Sequence, residues 1–229
     1  MRVFLLPGMD GTGLLFKPLL EKLPSNIETE VISYPVNEKL SYEQLAEYVI
    51  KKLPKRGNYV LVAESFSGPI AFLIAQNPPS HLKSVIFVAS FLHSPLRFLN
   101  AIKWLPLTIF FHLPIPNYII RWLLFGKEAK DEVISLFKES LRKASKRVLA
   151  FRLREIANLS LSSKTVDIHC SYIQAMNDKL VPSENLKVFK EIIKDINVIP
   201  VAGPHFILQA NPVVCAEVMA SECRRSMGR

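Results

Sequence analysis

The chain is poor in cysteine and glycine, with three of the first and eight of the second among 229 residues. Cys170, Cys215 and Cys223 are odd in number, widely spaced and form no C-x-x-C pair, so neither a disulfide framework nor a zinc cage is indicated. A reducing, cytoplasmic setting is expected. A long apolar opening run is also missing: Val3 to Leu6 is interrupted by Pro7 and Gly8, well short of a signal-peptide core or a membrane span. The most apolar stretch, Trp104 to Phe125, is broken by Pro106, His112, Pro114, Pro116, Asn117 and Arg121, so no integral membrane span is expected. P-loop, zinc and dinucleotide signatures are absent, and no cofactor or metal is expected. Acidic residues are the scarcer sign, 20 against 29 Lys and Arg, for a formal net charge of +9. Such a field attracts anionic partners in general and does not choose among nucleic acid, membrane and acidic protein.

What is there is a hydrophobic half and a regular rhythm. The length suits one sizeable core. Val3 to Leu6, Glu30 to Ser33, Tyr59 to Val62, Ser84 to Val88, Ser171 to Ala175 and Val198 to Val201 each read as a strand buried on both faces. Between them lie helical patterns such as "SYEQLAEYVIKKL", where Leu45, Tyr48, Val49 and Leu53 share a face behind a Ser41 cap with Gln44 three residues later. Strand and helix in alternation predict an α/β fold, a mostly parallel sheet of about six strands flanked by helices.

The rhythm breaks between residues 93 and 158, where no strand-like run stands out and Val133, Phe137, Leu141, Ala144 and Val148 recur at helical spacing. A helical cap inserted after the fourth strand is expected at 93–158, leaving 1–92 and 159–229 as the core. The insertion holds twelve Lys or Arg against five Asp or Glu, with Arg142, Lys143, Lys146 and Arg147 crowded into two turns of one predicted helix.

Chemistry concentrates in "LVAESFSGPI". A serine ending a parallel strand and entering a helix through a tight turn has its hydroxyl lifted above the sheet edge, and the strained backbone admits only small neighbours. Ala63, Ser67 and Gly68 supply them around Ser65. The helix predicted from Ser67 to Gln76 aims its N-terminal N–H groups at the same point. A free hydroxyl is a weak nucleophile and needs a base, itself held by a carboxylate. Asp178 follows one strand-like run and His205 another, so parallel strands carry both to the edge that holds Ser65. An oxyanion hole then needs two N–H donors: Phe66, which follows the serine, and Met9 in the glycine-rich turn "LLPGMDGTG". Asp10 reads as a turn-stabilising acid.

Through Pro7-Gly8-Met9, the elbow Ala63-Glu64-Ser65-Phe66-Ser67-Gly68, Asp178 and His205, the sequence resembles the α/β-hydrolase family over nearly its whole length. Ala63 stands where the elbow usually has Gly and Pro7 where the oxyanion turn often has His; neither change removes a donor or a triad side chain. The first two strands of the family's larger sheet are not expected in this sequence, since Val3 already leads into the oxyanion turn.

The resemblance implies a serine hydrolase cleaving carboxylic esters of small to medium acyl chains through an acyl-enzyme. Ser65 is the nucleophile, His205 the proton shuttle and Asp178 its orienter, and Met9 and Phe66 form the oxyanion hole. Phe110, Phe111, Trp122 and Leu123 are expected to roof the acyl pocket. The expected partner is a small-molecule ester, not nucleic acid. The basic insertion raises an alternative, an esterase or thioesterase that docks an acidic acyl carrier protein. The same fold also serves non-hydrolytic lyases and receptors.

Overall fold

Six segments are extended: β1 (Arg2–Leu6), β2 (Glu28–Val31), β3 (Tyr59–Glu64), β4 (Leu82–Val88), β5 (His169–Ala175) and β6 (Asn197–Val201). In the computed structural model, which describes residues 2–95, 107–161 and 164–227, they form one sheet. The strand order is β2-β1-β3-β4-β5-β6, and every neighbouring pair is parallel. Successive side chains of a strand face opposite sides, and the central runs are apolar throughout, so two cores form. Phe4, Leu6, Leu61 and Ala63 pack on one face with residues of helices α1 (Tyr42–Lys52) and α2 (Gly68–Gln76). Val3, Leu5, Val60 and Val62 pack on the other with Cys215, Met219 and Cys223 of the C-terminal helix Pro212–Met227. All three cysteines are free and buried, and burial pushes each thiol up to about 12.

Several strand bounds shift by one or two residues, and two strands also differ from their sequence reading in burial. β2 starts two residues earlier than expected and alternates between exposed and half-buried positions, and β6 is half-buried along most of its length. They are the first and last strands of the order, each paired on one side only, so burial on both faces does not reach them. The Ser41 cap behaves as read: its hydroxyl accepts from the Gln44 N–H while the Gln44 side chain accepts from the Ser41 N–H.

Between β4 and β5 the described regular elements are helical apart from two isolated bridges, His93 with Ser160 (antiparallel) and Val166 with Ile193 (parallel). Short helices Leu107–Phe110 and Asn117–Ile120 come first, the latter running into a π-helical turn, Arg121–Phe125. They are followed by α3 (Asp131–Lys143) and α4 (Lys146–Asn158). The basic run does not lie on one helix: Arg142 and Lys143 end α3, Lys146 and Arg147 begin α4, and all four are exposed. The break falls at Ala144 and Ser145, where the Ser145 N–H leaves the helical ladder to donate to the Val36 carbonyl at 2.9 Å. Trp104 and the side chain of Phe110 lie outside the described residues. Among the described residues, no helix is long and apolar enough to cross a membrane.

Candidate active site

β3 ends at Glu64, and the chain turns so sharply that Ser65 adopts φ 49°, left-handed backbone that a non-glycine residue rarely occupies. A single 3₁₀ turn, Ser65–Ser67, leads into α2. The small residues have separate reasons. Gly68 lies against Ser90, whose hydroxyl donates to the Ser65 carbonyl at 2.6 Å, and a Cβ at Gly68 would collide with that hydroxyl. Ser67 uses its oxygen: it donates to the Pro7 carbonyl and hydrogen-bonds the Tyr34 hydroxyl, tying the elbow to the turn after β1.

The other two expected side chains arrive on neighbouring strands. Asp178 follows β5, and its Oδ1 accepts from the Leu180 and Val181 N–H groups, both at 2.8 Å. Its Oδ2 accepts from His205 Nδ1 at 2.7 Å. Because a carboxylate only accepts, Nδ1 carries the proton and Nε2 is left as an acceptor facing Ser65 Oγ at 2.9 Å. His205 and Asp178 are almost fully buried, with side chains 4% and 5% exposed, so water competes little for these bonds.

The turn after β1 is held by its carbonyls. Gly8 O accepts from the Gly11 N–H at 3.0 Å, Pro7 O from Ser67, and Met9 O and Asp10 O from Arg152 Nη1 at 2.9 and 3.0 Å. A trans peptide sets its N–H opposite its C=O, so the Met9 N–H points away from the Gly8–Gly11 bond. Asp10 Oδ1 accepts from the N–H and hydroxyl of Thr12, the turn-stabilising part expected of it. Burial raises the Asp10 carboxyl above the usual range, and it pushes Glu64, beside the serine, up to about 7. Glu64 Oε1 accepts from Gln209 Nε2 at 3.0 Å.

The side chain of Phe110 is not among those described, and the other three expected roof residues have different surroundings. Trp122 is 55% exposed, and its ring centroid lies 3.8 Å from Lys179 Nζ. Leu123 packs against a small cluster that includes Leu15, Ile120, Phe125 and Phe137, and Phe111 is half-buried. The same cluster extends to Phe206, beside His205. The Phe206 ring lies 5.3 Å from that of His205, Phe125 stacks on it at 4.6 Å and 12°, and Phe137 meets it edge-on at 5.7 Å. A cleft of about 860 Å³ is lined by Lys17, Phe125, Val133, Pro204 and Gln209 among others, and by none of Ser65, Asp178 and His205.

Sequence reasoning also missed Arg152, counted there only among the insertion's twelve Lys and Arg residues. It is 1% exposed, and it occupies the buried stripe Val148, Arg152, Ile156 of α4. A cation at an apolar stripe position was the signal available. Among the described residues no cluster of His, Cys, Asp or Glu could hold a metal ion.

No protein-family model matches the chain, and no curated protein matches it significantly in sequence. Solved structures do. The chain is similar to a hydrolase from Oleispira antarctica, olei00960 (TM-score 0.78, 13% identity, 97% of this chain and 90% of that one). It is similar to the esterase EaEST from Exiguobacterium antarcticum (TM-score 0.76, 16% identity, 98% and 92%). It is also similar to ClbQ from the colibactin NRPS/PKS pathway (TM-score 0.73, 12% identity, 99% and 98%). With six parallel strands flanked by helices and these likenesses over almost the entire length, the chain has the α/β-hydrolase fold.

Proposed function

We propose that the protein is a serine hydrolase that cleaves carboxylic esters of small to medium acyl chains. What carries this reading is one observation: Ser65 Oγ, His205 and Asp178 stand in hydrogen-bonded series at 2.9 and 2.7 Å, with the serine on a strained turn. Ser65 Oγ attacks the ester carbonyl carbon as its proton passes to His205 Nε2. The C=O electron pair moves to oxygen, and the Met9 and Phe66 N–H groups stabilise that oxyanion. The tetrahedral intermediate collapses, and the alcohol leaves with the proton from His205. A water then repeats the cycle on the acyl-enzyme, releasing the acid. Asp178 keeps His205 in the productive tautomer throughout. Residues 93–158 act as the cap, with Phe125 and Phe137 beside Phe206 as an apolar wall near the acyl group. The setting is cytoplasmic, in keeping with three unpaired thiols.

A fluorophosphonate probe and a nitrophenyl ester series test this. The wild type labels and turns over, while Ser65→Ala does neither, with turnover down by roughly 10⁴- to 10⁶-fold. A folded Ser65→Ala variant that keeps a tenth of wild-type turnover overturns the assignment.

One observation favours a second reading. Arg142, Lys143, Lys146 and Arg147 form an exposed basic cluster where α3 meets α4, and ClbQ, similar in fold, belongs to an NRPS/PKS pathway. On that reading the ester or thioester is delivered on an acidic acyl carrier protein that docks at this junction.

A further inference from the structure

Arg152 is an odd residue to bury. A guanidinium loses its hydration inside a protein and is normally compensated by a carboxylate. Among the described residues Arg152 forms no ion pair within 4 Å. Its hydrogen bonds go instead to three carbonyls: Met9 O at 2.9 Å, Asp10 O at 3.0 Å and, through Nη2, Pro35 O at 3.0 Å. Its guanidinium carbon also lies 5.6 Å from the Tyr34 ring centroid and 5.8 Å from that of Phe66. Gly11 completes the fit, since a Cβ there would strike Nη1.

The bonds form a chain that leads to one N–H. The peptide unit joining Asp10 and Gly11 offers its oxygen to Arg152 and its N–H to Gly8 O. Gly8 O belongs to the peptide unit that carries the Met9 N–H, and planarity fixes the direction of one from the other. The second bond from Nη1, to Met9 O, fixes the peptide unit that follows Met9. The same cation sits against the ring of Phe66, the other proposed donor.

We infer that Arg152, carried on α4 outside the sequence of the sheet, is a positioning residue that holds the Met9 N–H aimed at the developing oxyanion. This deepens the serine-hydrolase reading and rests on it. The insertion then does more than cover the site: without α4 in place the oxyanion turn lacks its clamp. A donor displaced by about 1 Å costs on the order of 10²-fold in rate, and a lost donor about 10²- to 10³-fold.

The test compares wild type, Arg152→Lys and Arg152→Met on a nitrophenyl ester, together with inhibition by an alkyl trifluoromethyl ketone. The hemiketal that this ketone forms with a serine carries an oxyanion, whereas the ester ground state does not. The expected result is a 10- to 100-fold fall in kcat for Arg152→Met, with KM changed less than about threefold and inhibitor affinity falling in step with kcat/KM. Arg152→Lys, which keeps the cation and a shorter set of donors, falls in between. Folded variants with wild-type kcat and inhibitor affinity overturn the positioning role, and so does a change confined to KM. Loss of a cooperative thermal transition in both variants also overturns it, in favour of a purely structural part. If the wild type itself neither labels with fluorophosphonate nor turns over, the hydrolase reading has failed first, and this inference falls with it.

Discussion

The Ser90 hydroxyl donates to the Ser65 carbonyl at 2.6 Å, so the loop that follows β4 braces the strained residue that leaves β3. Gly68 lies against the same hydroxyl, with no room for a Cβ. Gly68→Ala should therefore push Ser90 off the Ser65 carbonyl, lowering stability by about 1–3 kcal/mol through overpacking and reducing turnover with it. Urea unfolding and nitrophenyl ester kinetics measure both; an unchanged midpoint and rate would mean that Ser90 can step aside freely.

Asp178→Asn keeps an oxygen for the Leu180 and Val181 N–H groups while removing a pure acceptor from His205. The amide favours the wrong imidazole tautomer, so turnover should drop by roughly 10³- to 10⁴-fold with the fold intact. Near-normal kinetics would point to another group orienting His205.

Glu64 predicts a pH dependence of stability. Burial raises its folded pKa from 4.5 to about 7, so between those values the folded state keeps a proton that the unfolded state has released. That contribution is complete below pH 4.5 and is lost as pH rises through 7, at about 1.4 kcal/mol per pH unit. Glu64→Gln retains an acceptor for Gln209 and carries no charge to bury. Its advantage in stability over the wild type should be larger at pH 8 than at pH 5 in chemical denaturation. Parallel profiles for the two proteins would contradict the buried-acid assignment.

Reversing Arg142, Lys143, Lys146 and Arg147 to Glu separates the two substrate readings. With carrier delivery, hydrolysis of a carrier-linked ester should slow severalfold at low salt, the defect shrinking as salt rises, while nitrophenyl esters are unaffected. Equal effects on both substrates, or none, leave the free-ester reading.

The sheet and the Ser65, Asp178, His205 series were legible because each depends on a short local pattern. An apolar run with a turn behind it gives a strand, and parallel pairing alone carries three strand ends to one edge. Features set by distant neighbours were not legible. Nothing within β2 or β6 says that it has a partner on one side only. Ser145 breaks the α3–α4 run by bonding Val36, more than a hundred residues earlier in the chain. Arg152 finds Met9 and Asp10 across a similar separation. The aromatic group beside His205 was not legible for the opposite reason. Apolar side chains were plentiful between Trp104 and Phe125, and composition could not rank Trp122, which lies outside under Lys179, below Phe125, which stacks on Phe206.

The three buried thiols give the molecule an internal clock. Cys170 belongs to the core on one face of the sheet, and Cys215 and Cys223 belong to the core on the other. Each is shut away from solvent and held as the unreactive thiol, so an alkylating reagent can modify it only after its own layer has opened. Mass spectrometry after timed alkylation would then resolve which layer parts from the sheet first, with no label added and no residue changed. Simultaneous modification of all three would mark the two layers as one cooperative unit.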